Sequence, residues 1–109
     1  MGRGMMLVLL TLGAAALATS AATMQSKAAD VYADKCVVCH GADGAGKTVK
    51  GRKLKVKDVR ETVVKMTAAQ MLDVVMKGKE PDMDAFGKEL GPDLSKQIVE
   101  YYRSLAPAK

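Results

Sequence analysis

The chain has two cysteines and one histidine, and all three lie within five residues of one another. Two valines separate Cys36 from Cys39, and His40 follows the second cysteine directly. Two thiols at this spacing can each form a thioether with one vinyl group of a haem, and the adjacent histidine can then bind the iron. The segment therefore predicts one covalently bound haem c, held by Cys36 and Cys39, with His40 as an axial ligand.

Three other interpretations of this segment are weaker. A thioredoxin-like redox pair is expected to open a helix within an alternating strand and helix pattern, which the chain lacks. A structural zinc site needs four ligands, and no further cysteine or histidine exists to complete one. A disulfide is plausible in a short exported chain, but it gives no reason for a histidine beside it.

Residues 1–22 have the three-part plan of a secretory signal peptide: a short basic start, an apolar run from Met5 to Ala18, and small residues up to Ala22. The run is shorter than the ~20 residues that a membrane-spanning helix needs. We expect cleavage between Ala18 and Ala22 and export to the periplasm, where bacteria attach haem through thioethers. Residues 23–109 then form a single domain.

A mature chain of this size buries a marginal core by itself. It has one Phe, three Tyr and no Trp, so a haem would supply the missing apolar bulk. The apolar spacing favours helices, and Gly41–Gly46 is too rich in glycine for a regular element. The predicted helices are Lys27–Val38, a short one over Asp58–Lys65, one that begins after the capping-box residue Thr67 and ends at Gly78, and one that begins at Gly91-Pro92.

A second axial ligand would be a methionine or a weaker group, unless the sixth position is open. Met71 and Met76 lie on a predicted apolar helix face and are expected in the core. Met66 stands just before the capping box and is a candidate to line a haem pocket. Met83 lies in a predicted loop among charged residues, where an apolar side chain is unusual. Either it binds the haem iron, or it anchors the loop by packing against the core. Met83 is the preferred candidate.

The mature chain resembles a small bacterial class I c-type cytochrome over nearly its whole length. The resemblance is carried by the motif near the mature N-terminus, a glycine-rich loop after it, a methionine loop and the last helix. Those segments are Cys36–Gly41, Asp43–Gly46, Gly78–Phe86, and Leu90 with Tyr101, Arg103 and Leu105. Tyr32 also matches an aromatic residue that packs against the last helix near Tyr101.

The resemblance implies an all-α fold of three to five helices with long loops around one haem. It also implies His40 and Met83 as axial ligands of an iron that cycles between Fe(II) and Fe(III), in an electron carrier rather than an enzyme. The chain departs from the family at Asp84, where a proline usually follows the methionine, so we expect a less rigid loop. It also lacks the proline whose carbonyl often orients the histidine, so another carbonyl is expected to accept from the ring of His40.

Charge is unevenly distributed along the chain. The cations Lys47, Lys50, Arg52, Lys53, Lys55, Lys57 and Arg60 crowd one span with a single acid, Asp58, whereas Glu80, Asp82 and Asp84 surround Met83. These are either two solvated surfaces or a dipolar surface that steers the protein toward periplasmic redox partners.

Nucleic-acid binding is not expected, because no aromatic residues interleave the cations. Membrane contact is expected only through a partner complex. Two other functions remain open: a haem-based sensor or small-ligand binder with a labile sixth site, and a subunit of a larger periplasmic oxidoreductase.

Overall fold

The computed structural model describes residue 23 and residues 25–107. Its helices are residues 25–31 (α1), a π-helical turn Tyr32–Cys36, Val37–His40 (α2), Val49–Leu54 (α3), Val59–Lys65 (α4), Ala68–Lys77 (α5) and Gly87–Ser104 (α6). The predicted signal peptide, residues 1–22, lies outside the described residues. In the described part of the chain, no helix is long and apolar enough to cross a membrane.

The first helical segment is continuous from α1 through the π-helical turn to α2, and it ends at Gly41. Within the turn, the amide of Val37 donates to the carbonyl of Tyr32, five residues back. Gly41 has a φ of 82°, a conformation that a residue with a side chain rarely adopts. The predicted helix Lys27–Val38 is thus confirmed, and the π-helical turn within it was not foreseen.

Helix α3 was not predicted. It begins because the Thr48 hydroxyl accepts a hydrogen bond from the amide of Gly51, at 2.9 Å, and so caps the first turn. Gly51 is buried against the first segment, where a Cβ would collide with the backbone oxygen of Cys39. A tertiary contact of this kind leaves little trace in local sequence.

Helices α4 and α5 begin where the sequence predicted. The Asp58 carboxylate accepts from the amide of Arg60 at 2.9 Å and caps α4. Thr67 and Gln70 form both hydrogen bonds of the capping box, at 3.1 and 2.8 Å. Gly78 ends α5 with a positive φ of 76°, a conformation that favours glycine. Its ψ of 178°, however, lies outside the left-handed helical region that the sequence predicted.

Helix α6 begins earlier than predicted. A first turn opens at Gly87, the backbone breaks at Gly91 with φ 78° and ψ 166°, and the long helix then starts at Pro92. The predicted start at Gly91-Pro92 therefore corresponds to this break. Ile98 and Val99 are buried on the inward face of α6.

One part of the core forms where the first helical segment packs against α6, and α5 packs against another part of the same helix. Ala28 and Tyr32 are buried from one side, and the ring centroid of Tyr32 lies 5.1 Å from that of Tyr101. At the exposed edge of this contact, Lys35 forms a 2.6 Å ion pair with Glu89. The packing of Tyr32 near Tyr101 was implied by the family resemblance and is confirmed, and it fixes the end of the segment that carries the cysteines and His40.

Candidate functional site

Cys36, Cys39 and His40 come together at the C-terminal end of the first helical segment. Cys36 closes the π-helical turn, and Cys39 and His40 belong to α2. Both cysteines are free thiols of intermediate burial. Burial, reinforced by the nearby Cys39, raises the pKa of Cys36 to about 11. A protonated thiol is the opposite of the acidic thiol that a thioredoxin-like site requires.

His40 lies in an apolar environment beside Tyr102. The two ring centroids are 5.2 Å apart, with the planes inclined at 65°. Burial lowers the pKa of His40, because it disfavours the imidazolium form. A neutral imidazole is the form that binds a metal ion.

The Nδ1 atom of His40 is buried, and no hydrogen-bond partner for it exists among the described residues. The backbone carbonyl that the sequence led us to expect is thus not identified. Buried side-chain nitrogens without a partner are rare, and they call for a specific explanation such as a bound group.

The glycine-rich loop folds back on the backbone of His40. The amide of Gly46 donates to the carbonyl of His40 at 2.8 Å. The carbonyl of Gly41 accepts from the Tyr32 hydroxyl at 2.8 Å and from the amide of Gly44 at 3.1 Å. Burial raises the pKa of Tyr32, so its hydroxyl stays a donor through the physiological range. These bonds hold the residue after the histidine in one position.

Sequence reasoning missed three residues that touch this site. The Thr48 hydroxyl donates to the carbonyl of Val38 at 2.7 Å and approaches that of Cys39 at 3.3 Å. Gly51 lies directly against Cys39, and Tyr102 lies against His40. Only Thr48 carried a usable signal, as a potential helix cap, since the other two contacts depend on the tertiary fold.

Met83 lies in the loop between α5 and α6. It pairs with Lys79 through two backbone hydrogen bonds of 2.8 Å, one in each direction. At the base of the loop, the amide of Phe86 donates to the carbonyl of Val75 at 2.9 Å. The peptide bond before Pro81 is cis. The loop is therefore held by backbone pairing, although Asp84 replaces the proline that usually follows the methionine.

The other methionines occupy different positions. Met71 is buried, as expected of a core residue, and Met76 is half-buried. Met66 lines an open cleft of about 470 Å³ between α4 and α5, with Lys65 and Val74 among its neighbours. Met24 lies outside the described residues.

The residues of the motif fit a covalently attached haem. Two half-buried thiols stand at thioether spacing, and the neighbouring imidazole is desolvated and has an unsatisfied buried nitrogen. Cys36 and Cys39 would hold the porphyrin, and His40 would bind its iron.

Comparisons with known proteins point the same way. A family model described as "Cytochrome C oxidase, cbb3-type, subunit III" matches residues 23–101. Among solved structures, the KustC0563 c-type cytochrome is similar, with a TM-score of 0.68 and 24% identity over 73% of this chain and 98% of that chain. A search of curated proteins found no match.

The family match confirms the predicted small c-type cytochrome and its covalently bound haem c. The structural likeness confirms the all-α fold. The family match also assigns the domain to electron transfer at the level of the family. The individual roles of Cys36, Cys39, His40 and Met83 stay predictions. The chain belongs to the family of c-type cytochrome domains described as cbb3-type cytochrome c oxidase subunit III.

Proposed function

We propose that this protein is a monohaem electron carrier of the periplasm. Cys36 and Cys39 would hold haem c through two thioethers, and His40 and Met83 would bind its iron. The observation that carries the proposal is the desolvated, neutral imidazole of His40 directly after two half-buried thiols. When bound, haem c supplies a one-electron Fe(II)/Fe(III) couple.

The protein side chains set the conditions for this couple. The Met83 thioether, as a soft ligand, favours the ferrous state and raises the potential relative to two nitrogen ligands. Backbone pairing between Lys79 and Met83 supports a methionine that keeps its position in both oxidation states. The hydrogen bond from Tyr32 to Gly41 likewise supports a position of His40 that stays unchanged between the two oxidation states. A site with little rearrangement suits electron transfer rather than catalysis.

The ligand assignment is tested by the absorption spectrum of the ferric holoprotein. A sulfur–iron bond gives ferric haem a weak band in the red, and we expect this band in the wild type. Met83→Ala is expected to lose it, whereas Met66→Ala, the matched control, keeps it. A band that persists in Met83→Ala, or disappears in Met66→Ala, contradicts the assignment.

Location is the second part of the proposal. Cytochrome c domains are typically exported, and residues 1–22 have the plan of a signal peptide. Mass spectrometry of protein from a periplasmic extract is expected to give a haem-bearing chain that begins between residues 19 and 23. A haem-bearing chain that retains residue 1 contradicts this part.

A second candidate function follows from the family description, which names a subunit of a cbb3-type oxidase. In this alternative the domain works within a larger periplasmic oxidoreductase. Gel filtration of gently prepared extract separates the two, since a free carrier elutes at the size of one small domain. Haem absorbance that elutes only with a larger assembly favours the second function.

A further inference from the structure

One nitrogen in the ring of His40 is enclosed by the protein without a polar partner. The Nδ1 atom is buried, and no hydrogen-bond partner for it exists among the described residues. Iron can reach only a ring nitrogen that protein atoms leave accessible, so His40 would present Nε2 to the haem and keep its proton on Nδ1. A buried N–H that lacks an acceptor is costly, so a stable site is expected to supply one.

The ring of Tyr102 lies where it can accept this proton. Its centroid is 5.2 Å from that of His40, and the two ring planes are inclined at 65°. In such an edge-to-face arrangement, the positive edge of one ring meets the negative face of the other. The N–H bond of an imidazole lies in the ring plane and so belongs to its edge. An N–H donor at this edge forms a weak hydrogen bond with an aromatic face.

Tyr102 is held in this position by two further contacts. Its hydroxyl donates a long hydrogen bond to Oγ1 of Thr62 in α4, at 3.4 Å. Its ring also lies edge-on to that of Tyr32, with the centroids 6.4 Å apart and the planes at 73°. Tyr32 is buried and donates to the carbonyl of Gly41, the residue after His40. The aromatic ring and the histidine therefore belong to one packed unit that maintains their relative orientation.

We propose that the aromatic face of Tyr102 accepts the Nδ1–H of His40 and thereby orients the haem ligand. Tyr102 is then a positioning residue, because it acts on the iron only through the histidine. The inference rests on the proposed role of His40 as an axial ligand and deepens the proposed electron-transfer function. It also explains how the ligand is oriented in a chain that lacks the proline whose carbonyl often does so.

An aromatic face affects the ligand less than a carbonyl does. A strong acceptor draws the proton away from the ring and makes a histidine ligand more basic. An aromatic face is a weak acceptor, so the imidazole of His40 donates less electron density to the iron. The ferrous state is favoured as a result, in the same direction as by the soft thioether of Met83.

The experiment uses the untagged ferrous holoprotein labelled with nitrogen-15 at histidine. Because His40 is the only histidine in the chain, its ring gives a single Nδ1–H resonance. Two quantities are measured by NMR: the chemical shift of this proton and its rate of exchange with solvent. The ring current of an aromatic face moves a proton upfield, whereas a carbonyl acceptor moves it downfield.

Three variants separate the aromatic face from the hydroxyl and from general packing. Tyr102→Phe keeps the face and is expected to keep the upfield shift. Tyr102→Leu removes the face, so the proton is expected to move downfield and to exchange about two- to fivefold faster, the effect of losing one weak hydrogen bond. Tyr101→Leu is the matched control, because no contact of that ring with His40 exists among the described residues. It is expected to leave the chemical shift of the proton unchanged.

A fourth protein keeps the test decisive if Tyr102→Leu loosens the packing. Pentafluorophenylalanine at position 102 has nearly the shape of Phe, but its face is positive and repels the donor. We expect the Nδ1–H of His40 to exchange about two- to fivefold faster in this protein than in Tyr102→Phe. Equal exchange rates in these two proteins overturn the proposal. A proton that lies downfield in the wild type and does not move in Tyr102→Leu overturns it as well.

Failure of the proposed function gives a different result. If His40 does not bind the iron, its ring protons lack the large upfield shift that the haem ring current gives an axial ligand, in the wild type and in every variant. The proposed ligation then fails. If those protons carry the shift but the Nδ1–H does not respond to Tyr102, the ligation stands and only the positioning role is overturned.

Discussion

The hydrogen bond between Tyr32 and Gly41 offers a direct test of how the histidine segment is held. Tyr32→Phe keeps the ring, which is 2% exposed and lies 5.1 Å from that of Tyr101, and it removes one donor. The Gly41 carbonyl retains its second hydrogen bond, from Gly44 at 3.1 Å, so it is not left unsatisfied. The expected loss is therefore that of one ordinary hydrogen bond, about 1 kcal/mol in the free energy of unfolding.

Urea unfolding of the holoprotein measures this loss. For a domain of this size, it corresponds to a fall of about 4–8 °C in the melting temperature. Tyr101→Phe is the matched control, since no hydrogen bond of that hydroxyl exists among the described residues, and its effect is expected to be smaller. Equal stability of Tyr32→Phe and the wild type would refute the argument. A loss above about 3 kcal/mol, the size expected for removal of a whole aromatic side chain, would refute it as well.

Three further predictions concern packing and charge. Gly51→Ala places a Cβ against the backbone oxygen of Cys39, and we expect it to lower the free energy of unfolding by about 3 kcal/mol in urea titration; a neutral effect would contradict the close contact. Ser95→Ala removes a hydroxyl that is 0% exposed and has no partner among the described residues. We therefore expect the substitution to leave the free energy of unfolding unchanged or to raise it by up to about 1 kcal/mol. A clear decrease would contradict the absence of a hydrogen-bond partner. Hydrogen bonding and the ion pair with Arg60 lower the pKa of Asp58 to about 2. The stabilisation is complete above the ordinary pKa of about 3.9 and is lost as the pH falls through about 2. We therefore expect the difference in free energy of unfolding between the wild type and Asp58→Asn, measured by urea titration, to shrink as the pH is lowered through this range.

The helix ends that depend on neighbouring residues were predicted from the sequence. The capping box of Thr67 and Gln70 and the Gly91-Pro92 pair each describe a backbone position through hydrogen bonds or dihedral limits within a few residues. The haem-attachment motif is local in the same sense, because its chemistry depends on a fixed spacing.

The parts that were missed depend on contacts between distant residues. Helix α3 exists because Thr48 bonds to Val38 and because Gly51 allows close approach to Cys39. Its lysine-rich sequence alone does not distinguish a helix from a loop. The contact between Tyr102 and His40 was also not predicted. Helical spacing placed Tyr101 on the inward face, but it did not indicate that the adjacent Tyr102 contacts the histidine.

Methionine ligation is the central claim of this account, and carbon monoxide tests it most directly. When the gas is added to the reduced wild-type holoprotein, we expect no spectral change within the mixing time, because the proposed Met83 ligand would leave no open position on the iron. Met83→Ala is expected to bind carbon monoxide rapidly, with one molecule of the gas for each haem iron. Rapid, stoichiometric binding by the wild type would contradict the account and favour a haem-based sensor or small-ligand binder.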